Sequence, residues 1–234
     1  MPGWERIAAA AKSAATDPWV WAPLLAAGAL QIDDWDRRAA DWARDHTPIF
    51  GSQGSAEDWS DDLRDFSSIA HYATLLATPS GETPSEWLWN KARGTLVHVA
   101  AVSATTQTTL LLKGAIDRER PNGLARESFP SGHTSASAVH TRLASRNLDY
   151  IDVSPRTQAV LNVGLHALTI GTSWARIEAG WHFPSDTLAG MALGHFLAAF
   201  FNDAFLGTDP DSTRVAFTAG GDSATVWISW PLRY

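Results

Sequence analysis

Apolar positions recur at three- and four-residue steps along most of the chain, the period of a helix with one face turned inward. In 23–46, "PLLAAGALQIDDWDRRAADWARDH", Ile32, Trp35, Ala39 and Trp42 form such a stripe and predict an amphipathic helix. The polar, acidic stretch at 51–62, "GSQGSAEDWSDD", predicts a surface loop running into a helix start. A turn is expected at 78–82, "TPSGE". After it, Thr83, Pro84 and Glu86 supply a cap, a first-turn proline and a capping-box carboxylate. The helix they open is expected to end near Gly94, with another running on toward residue 117. Residues 146–157 predict a connection between helices. Past residue 207, Val226, Ile228 and Trp230 alternate with small or polar residues and "GGDS" offers a turn, so a short β-hairpin is expected over about 213–234.

Three stretches carry no charge: 95–112, 157–175 and 187–202. The first two are long enough to cross a bilayer but rich in Thr, Ser, Gln, Asn and His, whereas a span is predominantly apolar. They are read as buried helices of a soluble bundle, in keeping with a mean hydropathy of −0.13. The 12 tryptophans fit either bulky core filling or a belt at a lipid interface.

Composition narrows the classes further. A chain of 234 residues suits one domain, taken as 1–234 with a motif-bearing core over about 94–206. The absence of cysteine excludes disulfides and thiolate metal sites. A formal net charge of −7 without a Lys/Arg cluster argues against a nucleic-acid partner. The first residues show no secretory signal, which implies a cytoplasmic protein or a trimmed leader.

Three short motifs carry candidate chemistry. In "KGAIDRERP", 113–121, Lys113 and Arg120 lie seven apart and can share a helix face before Pro121 stops it. The plainer reading is a solvated face, since Asp117, Arg118 and Glu119 intervene. In "FPSGH", 129–133, Ser131 suits an N-cap and Gly132 permits close approach. The amides of a helix starting there would favour an anion, with His133 beside it. In "ARIEAGWHFPSD", 175–186, a helix start near His182 puts Asp186 four residues on, able to fix the imidazole tautomer. Together the motifs supply three cations, two imidazoles and an orienting carboxylate, complementary to a phosphoryl group.

K-x6-R-P, P-S-G-H and R-x5-H-x3-D, in that order, resemble the type-2 phosphatidic acid phosphatase superfamily. That group includes bacterial acid phosphatases, lipid phosphatases and, more distantly, vanadium haloperoxidases. The resemblance implies an all-α helical bundle of the acid phosphatase/vanadium haloperoxidase type with its pocket at the ends of central helices. It also implies that His182 attacks phosphorus, that His133 protonates the leaving alcohol and that Asp186 holds His182. Lys113, Arg120, Ser131, the Gly132 amide and Arg176 would bind the phosphoryl oxygens, with no metal. One departure is Ala175, where the family has serine before the arginine.

His98, His166 and His195 are read as core or supporting groups, and His140 as a possible neighbour of the same groove. His46 and His71 carry no signal, and Glu178 reads as loop rather than catalysis. The expected activity is a metal-independent phosphomonoesterase acting through a phosphohistidine on soluble esters, lipid phosphates or pyrophosphates. Its alternatives are a vanadate-dependent haloperoxidase on the same pocket, with vanadate otherwise an inhibitor, and a non-enzymatic scaffold. The expected partner is a phosphate ester, with peripheral membrane contact through exposed tryptophans, in the periplasm or cell envelope. The oligomeric state is left open.

Overall fold

A computed structural model describes residues 2–77, 83–151, 153–207, 214–220 and 223–229. Its helices are α1 (Trp4–Ala15), α2 (Pro18–Ala29), α3 (Trp35–His46), α4 (Gln53–Thr74), α5 (Pro84–Ile116), α6 (Gly132–Leu148), α7 (Pro155–Glu178) and α8 (Pro184–Phe201). The architecture is all-α apart from two strands near the C-terminal end, β1 (Arg214–Gly220) and β2 (Ser223–Ser229), paired antiparallel with Ala216 opposite Trp227. The turn expected at 78–82 lies outside the described residues, as do Gly221 and Asp222 between the strands.

Local chemistry sets the helix starts. Asp17, Ser52 and Ser154 each accept a backbone N–H two or three residues on, at 2.9, 3.1 and 3.1 Å. Thr83 and Glu86 form the reciprocal capping box. α6 lies at the centre, packed against α4, α5, α7 and α8. Ala101, Val139, Leu143 and Ala198 form the buried cluster where α5, α6 and α8 meet. α6 and α8 cross closely because Gly190 and Gly194 lack side chains. A Cβ on Gly190 would stand 2.6 Å from Ser131 O, and one on Gly194 2.5 Å from Ser135 O.

Several expectations need correction. α5 is one helix through Gly94, because a mid-helix glycine costs only about 1 kcal/mol relative to alanine. Most of the loop expected at 51–62 is helical, since α4 starts at Gln53 under the Ser52 cap. The stripe in 23–46 is broken at Asp33 and Asp34, both at positive φ, and it faces outward: Ile32, Trp35 and Trp42 are exposed, while Asp36, Ala40 and Ala43 are buried.

The uncharged stretches divide. α8 is a core helix, as expected, but α5 is inverted. Its inward stripe is Gly94, His98, Ala101, Thr105, Thr109 and Lys113, and its outward face carries Leu96, Val99, Leu110 and Leu111, the last 73% exposed. α7 repeats the pattern, with Val160, Val163 and Ile170 outward and Thr169, Ser173 and Arg176 inward. Both α5 and α8 are long and apolar enough to cross a membrane, but only 28% of the α5 window is buried inside the protein against 61% for α8. Core filling also fails for Trp4, Trp21, Trp35, Trp42, Trp59, Trp87 and Trp89, all exposed.

Candidate active site

The three motifs converge at one end of the bundle around a cleft of about 330 Å³. Lys113 reaches it from the last turn of α5, Gly132 and His133 from the first turn of α6, and Arg176 from the last turn of α7. His182 enters from the short α7–α8 connection. Arg120 arrives differently from the expected shared helix face, since α5 ends at Ile116 with Asp117 in the left-handed conformation. The loop beyond carries Arg120 back to the cleft.

The cations share the cleft with the carboxylates of Glu57 and Asp61, but their closest polar contacts are to neutral groups. Lys113 Nζ donates to Glu127 O, and Arg176 Nη1 to Ser60 Oγ at 3.2 Å. The guanidinium carbons of Arg120 and Arg176 stand 4.8 and 5.2 Å from the Trp181 ring centroid, within cation–π range. Among the described residues, Arg120 Nε and Arg176 Nε are buried without a hydrogen-bond partner. Buried donors without acceptors are costly, and an anion in the cleft would relieve that cost.

His182 is 2% exposed. Its Nδ1 is 3.8 Å from Asp186 Oδ2, closer than any other carboxylate but too long for the expected hydrogen bond. The carboxylate is held back by other donors. Oδ2 accepts from Ser128 Oγ at 2.6 Å and Phe183 N at 2.9 Å, and Oδ1 from Arg118 Nη1 at 2.6 Å. Burial, with Arg176 and Lys113 nearby, outweighs Asp186 and pushes the His182 imidazole down to about 4. It is therefore neutral at pH 7, as a nucleophile must be.

His133 is flanked by groups the sequence did not flag. Its Nε2 is 2.8 Å from Asp61 Oδ1 and also 2.8 Å from Arg64 Nη1, both on α4. With a proton on Nε2 the ring donates to Asp61; without it, Nε2 accepts from Arg64. Both states have a partner. Burial first, then Arg176, pushes the His133 imidazole down to about 4 against the pull of Asp61.

Ser131 does not reach the cleft. It is fully buried, caps α6, and its Oγ accepts from Thr134 Oγ1 at 3.1 Å. A Cβ on Gly132 would meet Lys113 Cε and Thr109 Cγ2 at ordinary contact, 3.8 Å, so packing alone does not demand glycine there. His140 pairs with His71 at 2.9 Å, and His71 with His98 at 3.0 Å, inside the bundle away from the cleft. His166 stacks on Trp19, and His195 is in ring contact with both. Glu178 ends α7 rather than lying in a loop, and its carboxylate clamps the backbone N–H groups of Ile49 and Phe50.

Residues 94–206 match the PAP2 superfamily. A PAP2 relative of known structure, the "first transmembrane PAP2 type phosphatidylglycerolphosphate phosphatase from Bacillus subtilis", aligns with a TM-score of 0.58 at 17% identity. The alignment covers 79% of this chain and 92% of the other, and at that identity it speaks to the fold. No curated protein matches the chain. Every residue of the three motifs falls within the PAP2 match, whereas Asp36, Asp61 and Arg64 fall outside it.

Proposed function

We propose that this chain is a member of the PAP2 superfamily and a phosphatase of lipid phosphates that works through a covalent phosphohistidine on His182. The observation that carries the reading is the meeting of Lys113, Arg120, Arg176 and two neutral imidazoles in one cleft.

The reaction runs in two displacements. With Nδ1 turned toward Asp186, Nε2 of His182 attacks phosphorus, the P–O bond to the leaving group breaks, and the alkoxide takes a proton from His133. Water then attacks the phosphohistidine, giving a proton to His133 as the N–P bond breaks and inorganic phosphate departs. The three cations stabilise charge spread over the equatorial oxygens without metal help. His133 is neutral in the empty cleft, but a phosphoryl dianion beside it favours imidazolium and charges the acid as substrate binds.

The lipid assignment rests on the outward apolar faces. α5 has 33 residues, about 50 Å of helix, against a bilayer core of about 30 Å. Exposed Leu96, Val99, Leu110 and Leu111 suit acyl chains better than water, and so do Val160 and Val163 on α7. Lipid contact would place the enzyme in a membrane of the cell envelope.

The test is a panel of phosphatidic acid, phosphatidylglycerol phosphate, isoprenyl pyrophosphate, sugar phosphates and nucleotides, assayed with and without vanadate. Lipid phosphates should turn over fastest and vanadate should inhibit. His182→Ala should abolish turnover, and ³²P-substrate should leave an acid-labile label on the wild type alone. A normal rate in His182→Ala refutes the nucleophile. Preference for nucleotides, or extraction of the chain by alkaline carbonate, refutes the lipid assignment. Peroxide-dependent bromide oxidation after vanadate loading would move the protein to the haloperoxidases.

A further inference from the structure

Behind His182, the structure builds a chain of charge that starts outside the PAP2 match. Asp36, in the first turn of α3, is 3% exposed and lies in the N-terminal third of the chain. Its Oδ2 accepts from Arg118 Nη2 at 2.8 Å and from Ser185 Oγ at 2.5 Å, and its Oδ1 from Ser185 N at 2.8 Å. The other arm of the same guanidinium donates to Asp186 Oδ1 at 2.6 Å. Phe183 holds the guanidinium flat, with its carbon 4.0 Å from the ring centroid. One arginine thus bridges two buried carboxylates, and the second faces His182.

A bridge of this kind fixes an angle as well as a charge. A guanidinium is planar and forked, so engaging two carboxylates leaves it no freedom to rotate. Without Asp36, Arg118 would lose one anchor, and its whole positive charge would fall on Asp186. Asp186 would then draw less strongly on the proton of His182 Nδ1. Neither Asp36 nor Arg118 lines the substrate cleft; both line a separate cavity of about 220 Å³ together with Phe183.

We propose that Asp36 is a positioning residue for the phosphatase reaction, acting through Arg118 and Asp186 to hold His182 in the tautomer that attacks phosphorus. The inference rests on the phosphatase reading above, in which His182 is the nucleophile. It also explains why an aspartate is buried on α3, where Trp35 and Trp42 of the same helix face outward.

The experiment compares wild type with Asp36→Asn and Arg118→Lys by two readouts. One is steady-state kinetics on phosphatidic acid. The other is the imidazole ¹⁵N spectrum of the histidine-labelled protein, with the His182 signal assigned from His182→Ala. Both variants should lower kcat by roughly tenfold or more while KM moves less than twofold, the scale seen when the support of a catalytic ligand is lost. Both should also add an Nε2-protonated population at His182 that the wild type lacks. The double variant should lose no more than the worse single one, because the two residues act in one chain. Asn preserves the acceptor for Ser185 N; should it fail to fold, the half-exposed Arg118 position carries the test alone. A His182 signal unchanged in the folded variants overturns the proposal, and so does a rise in KM with kcat intact. A wild type inactive on every ester would defeat the phosphatase reading, while the ¹⁵N spectrum would still decide whether Asp36 sets the tautomer.

Discussion

Lys113, Arg120, Arg176, His133 and His182 line the cleft from within residues 94–206; Asp61 and Arg64 join its wall from α4, where they pair with His133, and Asp36 on α3 stands behind Asp186 through Arg118. The first set would touch the phosphoryl group. Asp61 and Arg64 touch His133, and Asp36 touches Arg118 and Ser185. Groups that meet a substrate are constrained by the reaction, so their spacing recurs and can be read as a motif. Groups that hold them answer only to local geometry, and any helix that packs alongside can supply them. The motif region thus supplies the groups that would meet the phosphoryl, while α3 and α4 supply groups that hold them, those of α4 also closing the cleft wall.

Replacing one residue from each region tests that division. His133→Ala removes the proton donor and should lower kcat on an alkyl phosphate by roughly 10²–10⁴-fold. On p-nitrophenyl phosphate, whose leaving group needs little protonation, the loss should be far smaller. An equal loss on both esters would show that His133 does something other than donate a proton. Asp61→Asn should cost less, about tenfold at pH 7, in keeping with its place behind the acid. Asp61 pulls the His133 imidazole upward against burial and Arg176, so its removal should move the His133 limb of the kcat/KM profile to lower pH. A profile that keeps its shape would leave Asp61 as surface charge only.

The close crossing of α6 and α8 places both regions and gives a stability prediction. Gly194→Val puts a branched side chain where a Cβ alone would meet Ser135 O at 2.5 Å and Ala138 Cβ at 2.7 Å. It should destabilise the protein by about 1–3 kcal/mol or more, read as a fall in Tm. Gly28→Ala on α2 meets nothing within 4 Å and should leave Tm unchanged or slightly raised. A similar fall for both would remove the crossing as the cause.

Much of the site was legible before any coordinates, because capping and spacing are local. The Thr83–Glu86 box, the Ser131 cap and the His182–Asp186 separation depend on neighbours within four residues. Helix orientation was not legible in the same way. The stripe of Ile32, Trp35 and Trp42 has the period of a buried face, and periodicity alone does not say which side is wet. On α5 the same ambiguity hid a polar interior stripe behind an apolar exterior. Arg118 sat within a recognised motif but looked like part of a solvated face, since its partners Asp36 and Asp186 are 82 and 68 residues away. Asp61 stood in a stretch that read partly as loop, Arg64 lay just past it, and no spacing links either to His133.

The smallest expected effect separates the regions by sign. His133 and His182 fall from 6.5 to about 4 on folding, so between those pH values the unfolded chain binds more protons than the native one. Their contribution to stability is therefore present above about pH 6.5 and lost as the pH falls toward 4. His182→Asn removes one of these groups and should flatten the decline of Tm across that window. Asp61→Asn should steepen it, since without that carboxylate the native His133 falls still further below its unfolded value. Asp61 itself is held below 3.8 by His133, Arg64 and Arg176 despite its burial, so its own titration lies beneath the window and does not mask the effect. Opposite slopes from the two substitutions would tie α4 to the acid it flanks, and parallel slopes would break that tie.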